Sequence, residues 1–397
     1  MFESDFQLNI KPFTPNPSSL YTILEYLKIY PNEGMLKKIG SFLEHLQSSA
    51  LFDPIDGGFF RQSTDYTCRE PLFEKNLEEN SQYIQLYSAA YDLFRLDSYR
   101  ETAYHTFGFV TNVLKNEGGG YFSNTTLMNK IEDSVYYSFS INELSLLFPQ
   151  RYQEISVALS LDTIADAAEK QIPLRRTDTY KSITEQEFQI LRARRKEHRG
   201  HFIDKRIITS YNAQLSKGLA ISSVLLNDDS MFKVALETFD FLMNNNINSK
   251  GKLLRYTCCS SGCTFGYLSD YAYFADAAIE LFLAGGEKSL ARIAKKYLDF
   301  VIDNFYKPEN GMFSKSEKER DNIIMPFKRE SNVDIIKPSA NSVMAGNLIA
   351  MYKITGERKY LEIAKRQINN IAPDLLNSGP LLSSWVHKIL KLISLTE

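Results

Sequence analysis

The stretch Asp53–Phe94, DPIDGGFFRQSTDYTCREPLFEKNLEENSQYIQLYSAAYDLF, carries the unit on which the chain is built. It opens on the paired glycines Gly57 and Gly58, continues through the extended piece FFRQS, and ends as a helix. Leu77, Tyr83, Ile84, Leu86, Tyr87, Ala90, Tyr91 and Phe94 recur at spacings of three and four, which is helical periodicity. Between the glycines and the helix lies a dense set of charges, among them Asp56, Arg61, Asp65, Glu74, Lys75, Glu78 and Glu79. Glycine lets the backbone turn tightly and a helix start is a rigid mount, so a pocket is expected here.

The same unit recurs on either side. Four segments read alike as the second helix of a pair: DSYRETAYHTFGFVTNVL, DSMFKVALETFDFLMNNN, KSLARIAKKYLDFVIDNFY and ERKYLEIAKRQINNIA. Three of them run into a glycine turn and a short extended piece, GGGYFSN, KGKLLRYT and NGMFSKS, and GGFFRQS is a fourth copy. Ser98–Glu101 and Ser140–Glu143 read as capping boxes that open helices. The unit is helix, loop, helix, glycine turn, extended piece, at a period of roughly 60 residues. About six such pairs fit the chain. Six hairpins can close into a ring with first helices inside, an all-α (α/α)6 barrel with short strands in its glycine-rich turns, or they can stack as an open solenoid. Inner helices that read as aromatic-rich and alanine-poor favour the closed form. The expected organisation is therefore a single barrel domain over residues 1–397, with the segment 381–397 as a peripheral C-terminal helix.

At 397 residues with 44% hydrophobic content, the chain can bury a large core. A net charge of −2 predicts no general affinity for nucleic acid or for an anionic membrane. No stretch reads as a transmembrane span and MFESDFQLNIK does not read as a signal peptide, so a cytoplasmic protein is expected. Four cysteines in so long a chain do not make a disulfide framework.

Five blocks, in order along the chain, resemble one family. GGFFRQSTD…EPLFEKNLEENSQYIQLYSAAY is similar to the GGGFHRYSTD…PHFEKMLYDNA signature of the YyaL-like, spermatogenesis-associated protein 20-like family. IKPFTPNPSSLYTILEY resembles its PKFPxP segment, and DKRIITSYNAQLSKGLA its DDKILTSWNGLMI block. GYLSDYAYFADAAIELF and KPSANSVMAGNLIAMYKITGERKY resemble its GFLDDYAF and PSGNSVAA blocks. The resemblance implies a six-hairpin glycosidase-like barrel, joined in that family to a thioredoxin-like domain. The chain is expected to be the helical domain alone, with the thioredoxin-like domain absent. Departures stand beside the matches. Leu72 and Phe60 replace two histidines, Tyr211 replaces a tryptophan, and Asn124–Met128 replaces an acidic AEDADS run.

Candidate chemistry follows from the retained polar set. Glycoside hydrolysis needs one protonated carboxyl and a second carboxylate. Asp65, Glu74 and Asp270 lie at loop exits or helix starts and are the candidate catalytic groups. Arg61, Glu79, Asn80, Asn212, Tyr271 and Asn341 are the candidate substrate-binding residues. Lys75 and Glu79 are also spaced for a helix-face ion pair, and carboxyls in a first turn also suit the helix dipole. Epimerisation usually needs histidines, and none of the five falls in a matched block. Cys258, Cys259 and Cys263 cluster without the spacing of a zinc site, so no metal and no cofactor is expected. The basic run Arg192–Arg199 reads as a solvated helix. The expectation is an enzyme acting on a sugar-like small molecule, hydrolase-like rather than epimerase-like. The rival is a non-catalytic binding or scaffold protein that partners a separate thioredoxin-like protein.

Overall fold

The computed structural model describes residues 12–127, 134–161, 168–198, 201–257, 264–317 and 332–395. Helices come in pairs. The first is α1 (Pro17–Ile29) with α2 (Glu33–Ser48), and the second is α3 (Leu77–Phe94) with α4 (Asp97–Val113). An intervening segment carries a single helical turn at Ser134–Tyr137 and three longer helices, α5 (Ile141–Leu147), α6 (Tyr152–Ala158) and α7 (Glu185–Glu197). The pairs resume with α8 (Thr209–Leu226) and α9 (Asp229–Asn245), α10 (Leu268–Leu283) and α11 (Lys288–Phe305), and α12 (Ala340–Thr355) and α13 (Arg358–Ser378). A final helix, α14, spans Ser383–Ile393.

Helices α1, α3, α8, α10, α12 and α14 each pack on the next, and α14 returns to α1, so the ring closes. The seam is polar and tight: the hydroxyls of Ser19 and Ser383 lie 2.6 Å apart, and Ser384 and Ser342 meet at 2.7 Å. The helix expected at the periphery is therefore the sixth inner helix. Its Trp385 is fully buried and its Ser383, Ser384 and Lys388 face the interior, so the amphipathic pattern of SSWVHKILKLI marks a position in the ring.

Burial separates the two rings. Helix α3 is buried at nearly every position from Leu77 to Ala90, whereas outer α11 buries only the stripe Leu290, Ala294, Tyr297, Leu298, Val301 and Phe305. Small residues let the inner helices approach. A Cβ on Gly218 would lie 2.9 Å from the carbonyl oxygen of Ser81 on α3, and α10 presents Ala272, Ala275, Ala277 and Ala278 as buried positions. The reading of the inner helices as alanine-poor does not hold.

Caps fix the inner helix starts. The Asn76 side chain accepts from the Glu79 N–H at 2.7 Å, and Ser339 accepts from Ser342 at 3.3 Å. The Ser140–Glu143 capping box is present, but α4 starts at Asp97, and its cap, Leu96, makes no side-chain bond, so the Ser98 box is not formed. Gly57 adopts φ +77°, and a Cβ there would sit 2.1 Å from the His105 carbonyl oxygen, which is why the turn into the second pair requires glycine. Three short strands, β1 (Lys75–Asn76), β2 (Asn124–Leu127) and β3 (His201–Asp204), form an antiparallel sheet with β2 in the middle. Asn124 pairs with both Asn76 and Asp204, which brings three distant segments to the start of α3. The inserted segment has its own core, with Phe139, Leu144, Ile155, Leu159 and Leu191 packed on Ile55.

Candidate functional site

The inner helices α3, α8, α10 and α12 all begin at one end of the ring. There a cavity of about 530 Å³ opens, lined at those helix starts by Asn76, Glu78 and Glu79, by Tyr211, by Ser269 and Tyr273, and by Ser339. The small sheet adds Asn124 and Asp204 to its wall, and the loop before α12 adds Lys337. Arg61 and Glu74 close one side.

Glu79 is the most perturbed group in this cavity. Its side chain is 4% exposed. Asn76 Nδ2 donates to Oε2 at 2.9 Å, while Oε1 has no hydrogen-bond partner among the described residues. Arg61 Nε lies 3.5 Å from Oε1 and is itself without a hydrogen bond. Burial pushes the Glu79 carboxyl up to about 8, against the pull of Arg61 and helped by Glu78 and Glu74. Arg61 also reaches Glu74 at 3.5 Å, so one guanidinium spans two carboxyls. Glu78 is differently placed. Its Oε1 accepts from Gln214 Nε2 and from Lys337 Nζ, each at 2.6 Å. Burial alone would lower the Lys337 pKa, but the Glu78 charge outweighs it and the amine is raised. Asp204 is held below the usual carboxylate range by its bonds from Arg206.

Of the residues singled out in the sequence, Arg61, Glu74 and Glu79 line the cavity and the other six do not. Asp270 is fully buried beneath it. Its carboxylate accepts from the backbone N–H of Tyr267 at 2.9 Å and of Ser210 at 3.2 Å, and pairs with Arg255 at 2.7 Å. It is a cap with a counter-ion, away from the cavity wall. Asp65 folds onto its own turn, accepting from the N–H and hydroxyl of Thr67 at 2.9 and 2.5 Å.

The three asparagines are clamps. Asn80 accepts from the Phe59 N–H at 2.7 Å and donates to the Phe59 and Asn76 carbonyls. Asn212 does the same for Tyr121 and Ile208, and Asn341 for Phe313. Each ties an inner helix to the aromatic residue of the glycine turn that precedes it. In α10 the Tyr271 hydroxyl takes that place, accepting from the Leu253 N–H at 3.1 Å. These four side chains hydrogen-bond backbone. Lys75 sits in β1 rather than on a helix face, and Arg194 and Arg195 of the basic run are buried rather than solvated.

Sequence reasoning missed Glu78, Asp204, Arg206, Tyr211, Tyr273 and Lys337 as lining residues. Several flank matched blocks: Asp204 and Arg206 open DKRIITS, and Lys337 opens KPSANS. Cys258, Cys259 and Cys263 lie outside the described residues, while burial pushes the Cys68 thiol up to about 12. Among the described residues no group of three His, Cys, Asp or Glu is placed to hold a metal, and no helix is long and apolar enough to cross a membrane.

No family model matches the chain. It is similar to spermatogenesis-associated protein 20 of Mus musculus, 23% identical over 369 residues, covering 81% of this chain and 46% of that protein. The Homo sapiens protein of the same name is likewise 23% identical, over 373 residues, with 81% and 47% covered. The chain thus spans about half the length of these relatives. Among solved structures, cellobiose 2-epimerase from Bacillus thermoamylovorans superposes with a TM-score of 0.57 at 9% identity, over 90% of this chain and 74% of that one. The Lin0763 protein from Listeria innocua gives 0.55 at 9% identity, over 96% and 85%. At such identities the likeness is one of fold, the (α/α)6 barrel.

Proposed function

Taking the chain as a member of the spermatogenesis-associated protein 20-like family on the barrel fold that a sugar epimerase also uses, we propose that its mouth cavity binds a sugar or sugar derivative and acts on it by carboxyl acid–base chemistry. One observation carries this reading: Glu79 is a buried carboxyl with an unanswered oxygen, held protonated near pH 7 inside a cavity of other polar groups. That is the state a general acid needs. In a hydrolytic step Glu79 gives its proton to the leaving oxygen, and Glu74, which is one-third exposed, takes one from the attacking water. Glu78, Lys337 and Asn124 hold hydroxyl groups, and the Tyr211 and Tyr273 rings offer faces to the sugar. No histidine lines the cavity among the described residues, which favours carboxyl chemistry over a two-histidine epimerase.

The test is a thermal-shift screen with neutral sugars and glycosides, followed by product analysis. A ligand at 100 times its Kd stabilises by about 2.7 kcal/mol. Glu79→Gln should keep binding and lose turnover, and turnover by the native protein should fall above about pH 8, where Glu79 loses its proton. Binding without turnover in the native protein would turn the reading to its rival, a ligand-binding partner of a thioredoxin-like protein. Arg61, shared between Glu74 and Glu79, is compatible with that outcome.

A further inference from the structure

A second cavity, of about 260 Å³, lies deeper in the ring. Its walls are the next turns of the same helices: Ser81, Gln82 and Gln85 on α3, Gln214 and Lys217 on α8, and Tyr273 and Glu280 on α10. Tyr273 and Pro338 line both cavities, so the inner chamber adjoins the mouth. Helices α1 and α14 complete it with Glu25, His387, Lys388 and Lys391.

Most charges in this chamber are directly paired, and Lys388 makes no direct contact with a carboxylate among the described residues, though Asp334, Asp276 and Glu280 lie within its field. Lys217 meets Asp276 at 2.7 Å, Lys391 meets Glu280 at 3.8 Å, and Glu25 is taken by Lys28 at 3.0 Å. Asp334, on the loop before α12, accepts from the backbone of Ser339 and Ser384, each at 2.8 Å. His387 is held neutral, since burial and the neighbouring lysines push it well below its ordinary value. Lys388 is 6% exposed and has no ion pair or hydrogen bond among the described residues. Its stem crosses Gly346 in the middle of α12, where a Cβ would come within 2.9 Å of Lys388 Cδ and Cε. Glycine is disfavoured relative to alanine in mid-helix, so the backbone there is shaped around this lysine.

We propose that the inner chamber is a second ligand site, in which the Lys388 ammonium anchors the carboxylate of a small polyhydroxylated acid. A buried amine with no direct partner is the group an entering anion would satisfy. One amine without a direct partner matches one carboxylate, and the second charge of a dianion would lie near Asp276 and Glu280 with no free cation among the described residues to meet it. The hydroxyls and amides of Ser18, Thr22, Gln82, Gln85 and Ser384 match a polyol chain. Burial and the lysines Lys391 and Lys217 hold Lys388 down to about 7, so above that pH the anion must bring a proton with it.

The proposal goes beyond the mouth site and its failure is separable from the failure of that one. Sodium gluconate and sodium glucuronate are titrated into the native protein, Lys388→Met and Lys337→Met by calorimetry, with sorbitol as the neutral control. Methionine keeps the stem that fills the space over Gly346. At least one acid should bind the native protein and Lys337→Met alike, and bind Lys388→Met at least tenfold more weakly. Sorbitol should not compete. At pH 8.5 the native titration should take up close to one proton, read from enthalpies in buffers of different ionisation heat. That last reading stands even if Lys388→Met fails to fold. The idea is overturned if neither acid binds the native protein, if Lys388→Met binds as well, if only Lys337→Met loses binding, if inorganic phosphate binds as tightly as the acids, or if no proton is taken up.

Discussion

Two clusters of charge grow from the same short stretch and come to opposite ends. Around Asp53 both carboxylate oxygens are answered, and of the two cations only Arg195 Nε lacks a hydrogen bond among the described residues. The Asp53 carboxylate accepts from Lys75 at 2.6 Å, from Arg195 at 2.8 and 2.9 Å and from the Ile55 N–H at 3.0 Å, and burial, which would raise its pKa, is outweighed by the two cations. The Lys75 ammonium also faces the rings of Phe60, Phe109 and Tyr137, 4.5 to 5.1 Å from their centroids. Four residues on from Lys75, Glu79 keeps an oxygen with no partner beside a guanidinium nitrogen with none, on the wall of a cavity. Charge and place in the chain are alike in the two clusters, but Arg61 and Glu74 are a third exposed where Lys75 and Arg195 are buried. What separates a strut from a site here is access and whether the oxygens of the buried carboxylate are already satisfied.

Four substitutions press on that contrast. The largest effect belongs to Asp53→Ala, which strands Lys75 and Arg195 in the interior and should cost about 3–5 kcal/mol in urea unfolding. A small effect would mean the network is not the strut described. Next is Asn80→Ala, which breaks one clamp of three hydrogen bonds and should cost about 2–4 kcal/mol while leaving ligand affinity in the mouth unchanged. If affinity fell as well, the asparagines would regain a part in binding.

Glu79→Gln comes third, and its sign depends on pH. A carboxyl raised to about 8 in the folded state favours folding fully below its unfolded value of 4.5, and that contribution is lost as pH rises towards 8. The native protein should therefore lose stability between about pH 5 and 8, while the glutamine variant stays level. Their difference should level off above pH 8, once Glu79 is ionised in both states. Parallel melting curves from pH 5 to 9 would show that burial is not holding the proton. Smallest is Glu74→Gln. Its pair with Arg61 is long and a third exposed, so stability should move by less than about 1 kcal/mol. Any larger loss would have to appear in turnover.

The barrel was readable because its unit repeats: the glycine turn, the aromatic residue after it and the periodic helix recur around the ring. The sixth inner helix escaped because the glycine before it, Gly379, leads into a helical turn rather than an aromatic extended piece, and its pattern resembles an outer helix. The site was readable only in part. Asn80, Asn212, Asn341 and Tyr271 were singled out as polar residues in motifs, but a side chain near an inner helix start can reach the preceding strand as easily as a ligand. Only the positions of Phe59, Tyr121, Phe313 and Leu253 show which of the two it does. Asp204 and Lys337 were missed for the opposite reason. They lie far from Glu79 in sequence, and the sheet and the loop before α12 bring them to it.

The seam between α1 and α14 has a consequence for how the molecule assembles. Each helical hairpin can form from neighbouring residues, but Ser19 and Ser383 are 364 positions apart. Their meeting, with that of Tyr21 and His387 beside it, is among the contacts of highest order in the barrel wall, and its loop entropy is charged only when the ring shuts. Five hairpins are thus expected to assemble early as an open arc with an apolar inner edge, and the rate of reaching the native state is set by the closing of the gate that Ser19 and Ser383 latch.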